Sequence, residues 1–273
     1  MERQIRAIFR DEVVDRYTLK VLNPLHGKGR FASAEMWLAN AEQLIVDICR
    51  ELEAFESSEP LALVRTEHAT MDSYRWALVK GPPDNTSEKI HYAFIALRNS
   101  LDHLISAAVA PDQRTGANVA FPFGTDEKDI LNRRASPKSS IHCIPGILFD
   151  KIMLHRPYKD GNYPLWLVNH AANKAKHERL IPLRMQHEFF YCEELSCEGV
   201  SFRMCIPPVW DYDSQSMILA DVENGSKVRF AGGGSFYVVF DDEVFKRESC
   251  IEILKAMLSE TSSVVSAVTG HFK

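Results

Sequence analysis

Arg98, Asn99, Asp102 and His103 crowd one side of the segment HYAFIALRNSLDHLISAAVA, residues 91–110. These residue types suit proton and phosphate chemistry. A histidine with an ordinary pKa of about 6.5 takes or gives a proton at neutral pH. An arginine keeps its charge and grips phosphate oxygens with a forked set of donors. Asp102 follows Arg98 by four residues and His103 follows Asn99 by four, so each pair is one helical turn apart.

A later segment offers a matching stripe. Trp166, Leu167, His170, Asn173, Lys174 and His177 share one helical face, while Val168, Ala171, Ala172 and Ala175 share another. Two helices with histidine and asparagine stripes are suited to face each other across a cleft. His170 and His177 are two turns apart, about 10.5 Å of rise, too far to share one ion easily. The six cysteines are scattered without a C-x-x-C pair and read as reduced thiols. No metal site and no cofactor is expected. The concentrated basic segments that could touch RNA are Arg133, Arg134 and Lys138, then Lys174, Lys176 and Arg179.

These residues need helices to carry them. Ala34, Trp37, Ala41, Leu44, Ile45, Ile48, Leu52 and Phe55 recur at three- and four-residue steps and predict a long helix ending near ESSEP. LALVRTEH and YRWALVK predict two strands of a hairpin. Asn85 and Glu88 mark a helix start near Thr86, and Ile90, Phe94, Leu97, Leu101, Leu104 and Ala108 form its apolar arc. At about 100° per residue from Leu97, Arg98 falls near 100°, Asp102 near 140°, Asn99 near 200° and His103 near 240°. A loop, FPFGTDEKDILNRRASPKSS, leads to a short helix around 147–154, and a further helix runs from near Pro164 to before Pro182.

After Pro182 short strands follow, EFFYCEELSC, GVSFRMCIPP, SQSMILADV, SKVRFA and SFYVVF, with ENGS as a hairpin turn. A last helix buries Phe245, Ile251, Leu254, Met257, Leu258 and Val265. The expected fold is α+β: a helical bundle with an inserted β-hairpin over 1–185, then a small antiparallel sheet and C-terminal helix over 186–273. Residues 2–17 predict one more short helix.

With 273 residues, 45% hydrophobic, the chain can bury a substantial core. A net charge of −5 means that any nucleic-acid contact must come from a local patch. No apolar run is long enough to span a membrane, and the charged start MERQIRAIFRDEVVDR is unlike a secretory signal, so a cytoplasmic protein is expected.

Arg98 and His103 in RNSLDH resemble the R-x-x-x-x-H motif of the HEPN superfamily of helical-bundle ribonucleases and nucleotide-binding proteins. The wider string, ALRNSLDHL, FPF, HRPY and LWLVNHAANKAKHERLIP, resembles a largely uncharacterised bacterial group over roughly residues 31–185. Where that group has Asp-Lys-His, this chain reads NKAKH and supplies no carboxylate. The resemblance implies a metal-independent endoribonuclease, of the kind that serves as a toxin or phage-defence effector. His103 would transfer the proton, Arg98 would stabilise the phosphate, and Asn99 or Asp102 would orient them. His170, Asn173, Lys174, Lys176, His177 and Trp166 would line the cleft. With one motif per chain, activity would call for a homodimer, or a partner such as an antitoxin. The alternatives are a non-catalytic module that binds a nucleotide, RNA or protein, and a hydrolase of a small substrate.

Overall fold

In the computed structural model the described residues are 29–113, 119–177, 181–198, 202–204 and 209–272. The helix expected over 2–17 lies outside them. The fold is mixed α+β. In chain order the elements are α1 (Ala32–Glu56), β1 (Leu61–Glu67), β2 (Met71–Leu78), α2 (Thr86–Ala108), α3 (Glu127–Ala135), α4 (Gly146–Met153) and α5 (Tyr163–His177). There follow β3 (Leu183–Glu198), β4 (Phe202–Met204), β5 (Trp210–Asp211), β6 (Ser216–Glu223), β7 (Lys227–Phe240) and α6 (Cys250–Thr269).

The helices lie where apolar spacing puts them. On α1 the residues Ala34, Leu38, Ala41, Ile45, Ile48, Leu52 and Phe55 are buried, while Trp37 and Leu44 sit at the margin of the stripe. On α2, Ile90, Phe94, Leu97, Leu101 and Leu104 are buried at 0–2% exposure. Arg30 closes the end of α2 by donating to the carbonyls of Ala107 and Ala108, satisfying acceptors the helix leaves unmade. Helix α3 corrects the expectation of a loop. Its only buried residue is Ile130, so apolar periodicity could not announce it. It is started by Asp126, whose carboxylate accepts from the Asp129 amide at 2.7 Å.

The strands correct the expected layout in three places. The hairpin β1–β2 does not stand alone within the helical part: β2 pairs antiparallel with β6, in a sheet of order β1-β2-β6-β4 with β5 also on β6. ENGS does turn, with the Ser226 amide donating to the Glu223 carbonyl at 3.1 Å and Gly225 at φ +84°. Yet the strands on either side of it enter different sheets, so it is a corner and not a hairpin. Asn224 ties that corner to the β1–β2 turn by donating to the carbonyls of His68 and Ala69. Finally, SKVRFA and SFYVVF are one strand, β7, running through Gly232, Gly233 and Gly234 and paired along its length with β3.

The chain divides into two compact units, each made of discontinuous segments. One holds Met1–Val46, Lys89–Leu180 and Ile253–Lys273, and its described elements are helices. The other holds Asp47–Glu88 and Ile181–Glu252, and contains both sheets. A single cut at residue 185 does not reproduce this division, because β2 and β6, far apart in sequence, share a ladder.

In the second unit the Glu56 carboxylate accepts from the Val238 amide at 2.9 Å. Burial raises the Glu56 pKa, the Val238 bond opposes that, and Glu53 adds to it. The folded state therefore holds this proton more tightly than the unfolded chain. Its stabilising effect is complete below the ordinary value of 4.5 and is lost as pH rises through the raised value. Glu56→Gln keeps the acceptor and removes the titration. Urea unfolding of both proteins should show the glutamine variant gaining on the wild type as pH rises from about 4 to about 7. A gap that does not change with pH would refute this.

Candidate functional site

All four residues singled out on α2 lie in the helical unit, but they do not converge. Five steps along a helix separate Arg98 and His103 by about 140°. Each belongs to a different neighbourhood.

Arg98 is committed to the interior. Its side chain is 12% exposed and its Nε donates to Asp102 Oδ2 at 2.8 Å. Its Nη1 donates to the Asn169 side-chain oxygen on α5, and its guanidinium carbon lies 4.6 Å from the centre of the Phe123 ring. Asn173, four residues on, donates to the same Asn169 oxygen at 3.3 Å. Asp102 spends its other oxygen on the Phe121 amide at 2.8 Å. Phe121 and Phe123 are buried at 2% and 4%. The Arg98–Asp102 pair therefore fastens the FPF loop and α5 to α2. A charge so enclosed needs partners of this kind, because it has left water.

His103 lies on the other side and is exposed. Its Nδ1 is 2.9 Å from the Ser33 hydroxyl, and its ring centre is 6.3 Å from that of Trp37. Both neighbours belong to α1. Beside them a groove of about 550 Å³ opens, lined by Trp37, Asn40, Gln43 and Leu44 of α1 and Tyr92, Ile95 and Ala96 of α2. On the helical wheel those three α2 residues fall at about 220°, 160° and 260°, the same sector as Asn99 and His103. Asn99 is the link, four residues after Ile95 and four before His103. Among the described residues no formally charged side chain lines the groove.

The stripe on α5 is also divided. Trp166 stacks on Tyr163 at 5.7 Å and on His170 at 5.2 Å, with the Lys159 ammonium 5.6 Å from its ring centre. Leu167 is buried, and Asn173 and Lys176 are exposed. Lys174 is partly buried, and His177 ends the helix. Between α2 and α5, Arg98 donates to the Asn169 side-chain oxygen. Asn169 escaped the sequence reading, although it precedes Asn173 by one helical turn. His155 is held below its ordinary pKa by burial, with Glu260 opposing, so it is suited to remain neutral rather than to hold phosphate.

The basic segment 133–138 is largely spent on the fold. Arg133 donates to the Phe123 carbonyl, and Arg134 to the carbonyls of Ile141 and His142 while lying 5.1 Å from the Phe149 ring centre. Lys138 is exposed. Arg179 lies outside the described residues. Among the described residues no cluster of three or more His, Cys, Asp or Glu could hold a metal ion, and no helix is long and apolar enough to cross a membrane. The chain matches no protein-family model, no curated protein and no solved structure.

Proposed function

We propose that this chain is a nucleotide- or RNA-binding module of HEPN-like type, one that does not use Arg98 and His103 as a single catalytic couple. The observation that carries the reading is the commitment of Arg98 to Asp102, Asn169 and Phe123. An arginine whose Nε and Nη1 are bonded within the fold and which lies against a ring has given up most of the fork with which it would grip a phosphate. The ligand site of this module is the α1–α2 groove. Among its lining residues Trp37 and Tyr92 carry rings for a base, Leu44 and Ile95 apolar surface, and Asn40 and Gln43 amides for a base edge.

Calorimetric titration with AMP, GMP, CMP, UMP and a short single-stranded RNA tests this. Binding should weaken about tenfold in Trp37→Ala, the effect of losing one stacked base. It should vary little with salt, since none of the described residues lining the groove is a cation. Absence of binding, or equal binding by the variant, would overturn the reading.

One observation favours the ribonuclease instead: His103 is exposed and carries a hydroxyl neighbour, Ser33. That reaction would take its phosphate-gripping cation from elsewhere, a second copy of the chain being one source. EDTA-resistant cleavage of RNA that disappears in His103→Ala would establish it in place of the binding module.

A further inference from the structure

The sheet unit carries a surface that the proposed ligand groove does not use. On β3, Phe189 and Tyr191 point to the outer face of the β3–β7 ribbon, 52% and 38% exposed, while Phe190 between them turns inward onto Trp76. The two outer rings are 6.4 Å apart and only 25° from parallel. Opposite them β7 presents Ser235 and Gly233. A Cβ at Gly233 would stand 3.1 Å from the Tyr191 hydroxyl and 3.2 and 3.3 Å from two of its ring atoms, so that side chain lies down over the glycine. The result is a shelf of aromatic surface beside a strand of small residues.

Charge says what the shelf is suited to hold. The register of β3 against β7 shifts twice, and the residues left without a partner are Glu188 and Glu193, one on each side of the aromatic pair. Bulges re-aim the side chains that form them. Between Met185 and Phe202 the chain has four glutamates and no lysine or arginine, and β7 has no charged residue from Phe230 to Phe240. Among the described residues no third strand pairs with this ribbon.

We propose that this face docks an extended, arginine-bearing segment of a partner protein. Guanidinium groups would lie on the rings of Phe189 and Tyr191 and pair with Glu188 and Glu193. Arginine fits because it stacks flat on aromatic faces and pairs with carboxylates through two parallel bonds, which lysine does not. Nucleic acid fits poorly, since its phosphates would meet the glutamates. A second copy docked face to face would bring like carboxylates together.

Fluorescence polarisation of a labelled eight-residue peptide of alternating arginine and serine, titrated with the full chain, tests the proposal. The Kd should rise about tenfold in Phe189→Ala/Tyr191→Ala and about as much in Glu188→Gln/Glu193→Gln. The same peptide with lysine for arginine should bind about tenfold more weakly. These side chains are exposed, and circular dichroism will show that the variants keep their fold. Equal binding of the arginine and lysine peptides would mean that general acidity alone attracts them, and the proposal falls. It also falls if both double variants bind as the wild type does, or if the peptide fails to bind while RNA or a second copy occupies this face.

Discussion

Arg98→Ala is expected to lower folding stability by about 3 kcal/mol, as removal of one member of an enclosed ion pair does. The loss has three parts. Asp102, 27% exposed, keeps its charge without a cation. The Asn169 oxygen loses its guanidinium donor, and the Phe123 ring loses the group stacked on it. Arg98→Lys should recover little, because an ammonium cannot hold Asp102 and Asn169 at once while lying flat on a ring. Arg98→Ala/Asp102→Ala should be less destabilised than the sum of the single variants, since it leaves no orphaned charge. Urea unfolding monitored by circular dichroism measures all of this. If Arg98→Ala unfolds at the wild-type midpoint while RNA binding or cleavage is lost, Arg98 is a ligand-contacting residue, and neither its role as a fastening nor the α1–α2 groove as the ligand site survives.

Gly234→Val should be at least as damaging, by about 3 kcal/mol or more. A Cβ there would stand 2.4 Å from the Phe189 carbonyl oxygen and 3.0 Å from two atoms of the Trp76 ring. The oxygen belongs to the β3 backbone, which cannot yield without disturbing its ladder with β7. Trp76 is held in turn between Phe190 and Phe236, each at 5.1 Å, and Phe236 meets Trp210 at 5.5 Å. Displacing the Trp76 ring should loosen that aromatic cluster, shift tryptophan emission to the red and lower the unfolding midpoint. Gly81→Val is the comparison, since nothing lies within 4 Å of a Cβ there. Equal stability of the two variants would show that close approach at Gly234 is not what requires glycine.

The long helices were legible because burial writes itself into sequence at a period of 3.6 residues. The arcs of α1, α2 and α6 all follow from that rule. Helix α3 was not legible, since a helix that buries one side chain leaves no periodic trace. The course of β7 was obscured by its three glycines, which read as a break but are needed where Tyr191 and Trp76 press on the backbone. The turn at Gly225 was visible from Asn-Gly. The strand partners on either side of it were not, because a turn fixes a local reversal and not the sheet that each strand joins.

The same distinction holds for the candidate site. Residue types and helical spacing were enough to single out the polar side of α2 and to place Arg98 with Asp102, and Asn99 with His103, at one-turn intervals. They could not say what faces each pair, because that depends on contacts between residues far apart in the chain. Folding brings Asn169, Phe121 and Phe123 to Arg98 and Asp102, and so turns an arginine suited to phosphate into a fastening of the fold. It brings Ser33 and Trp37 to His103, and leaves that residue exposed beside a groove. One helix thus has a structural edge and an open edge. Local spacing set the angle between them, and long-range packing assigned each its role.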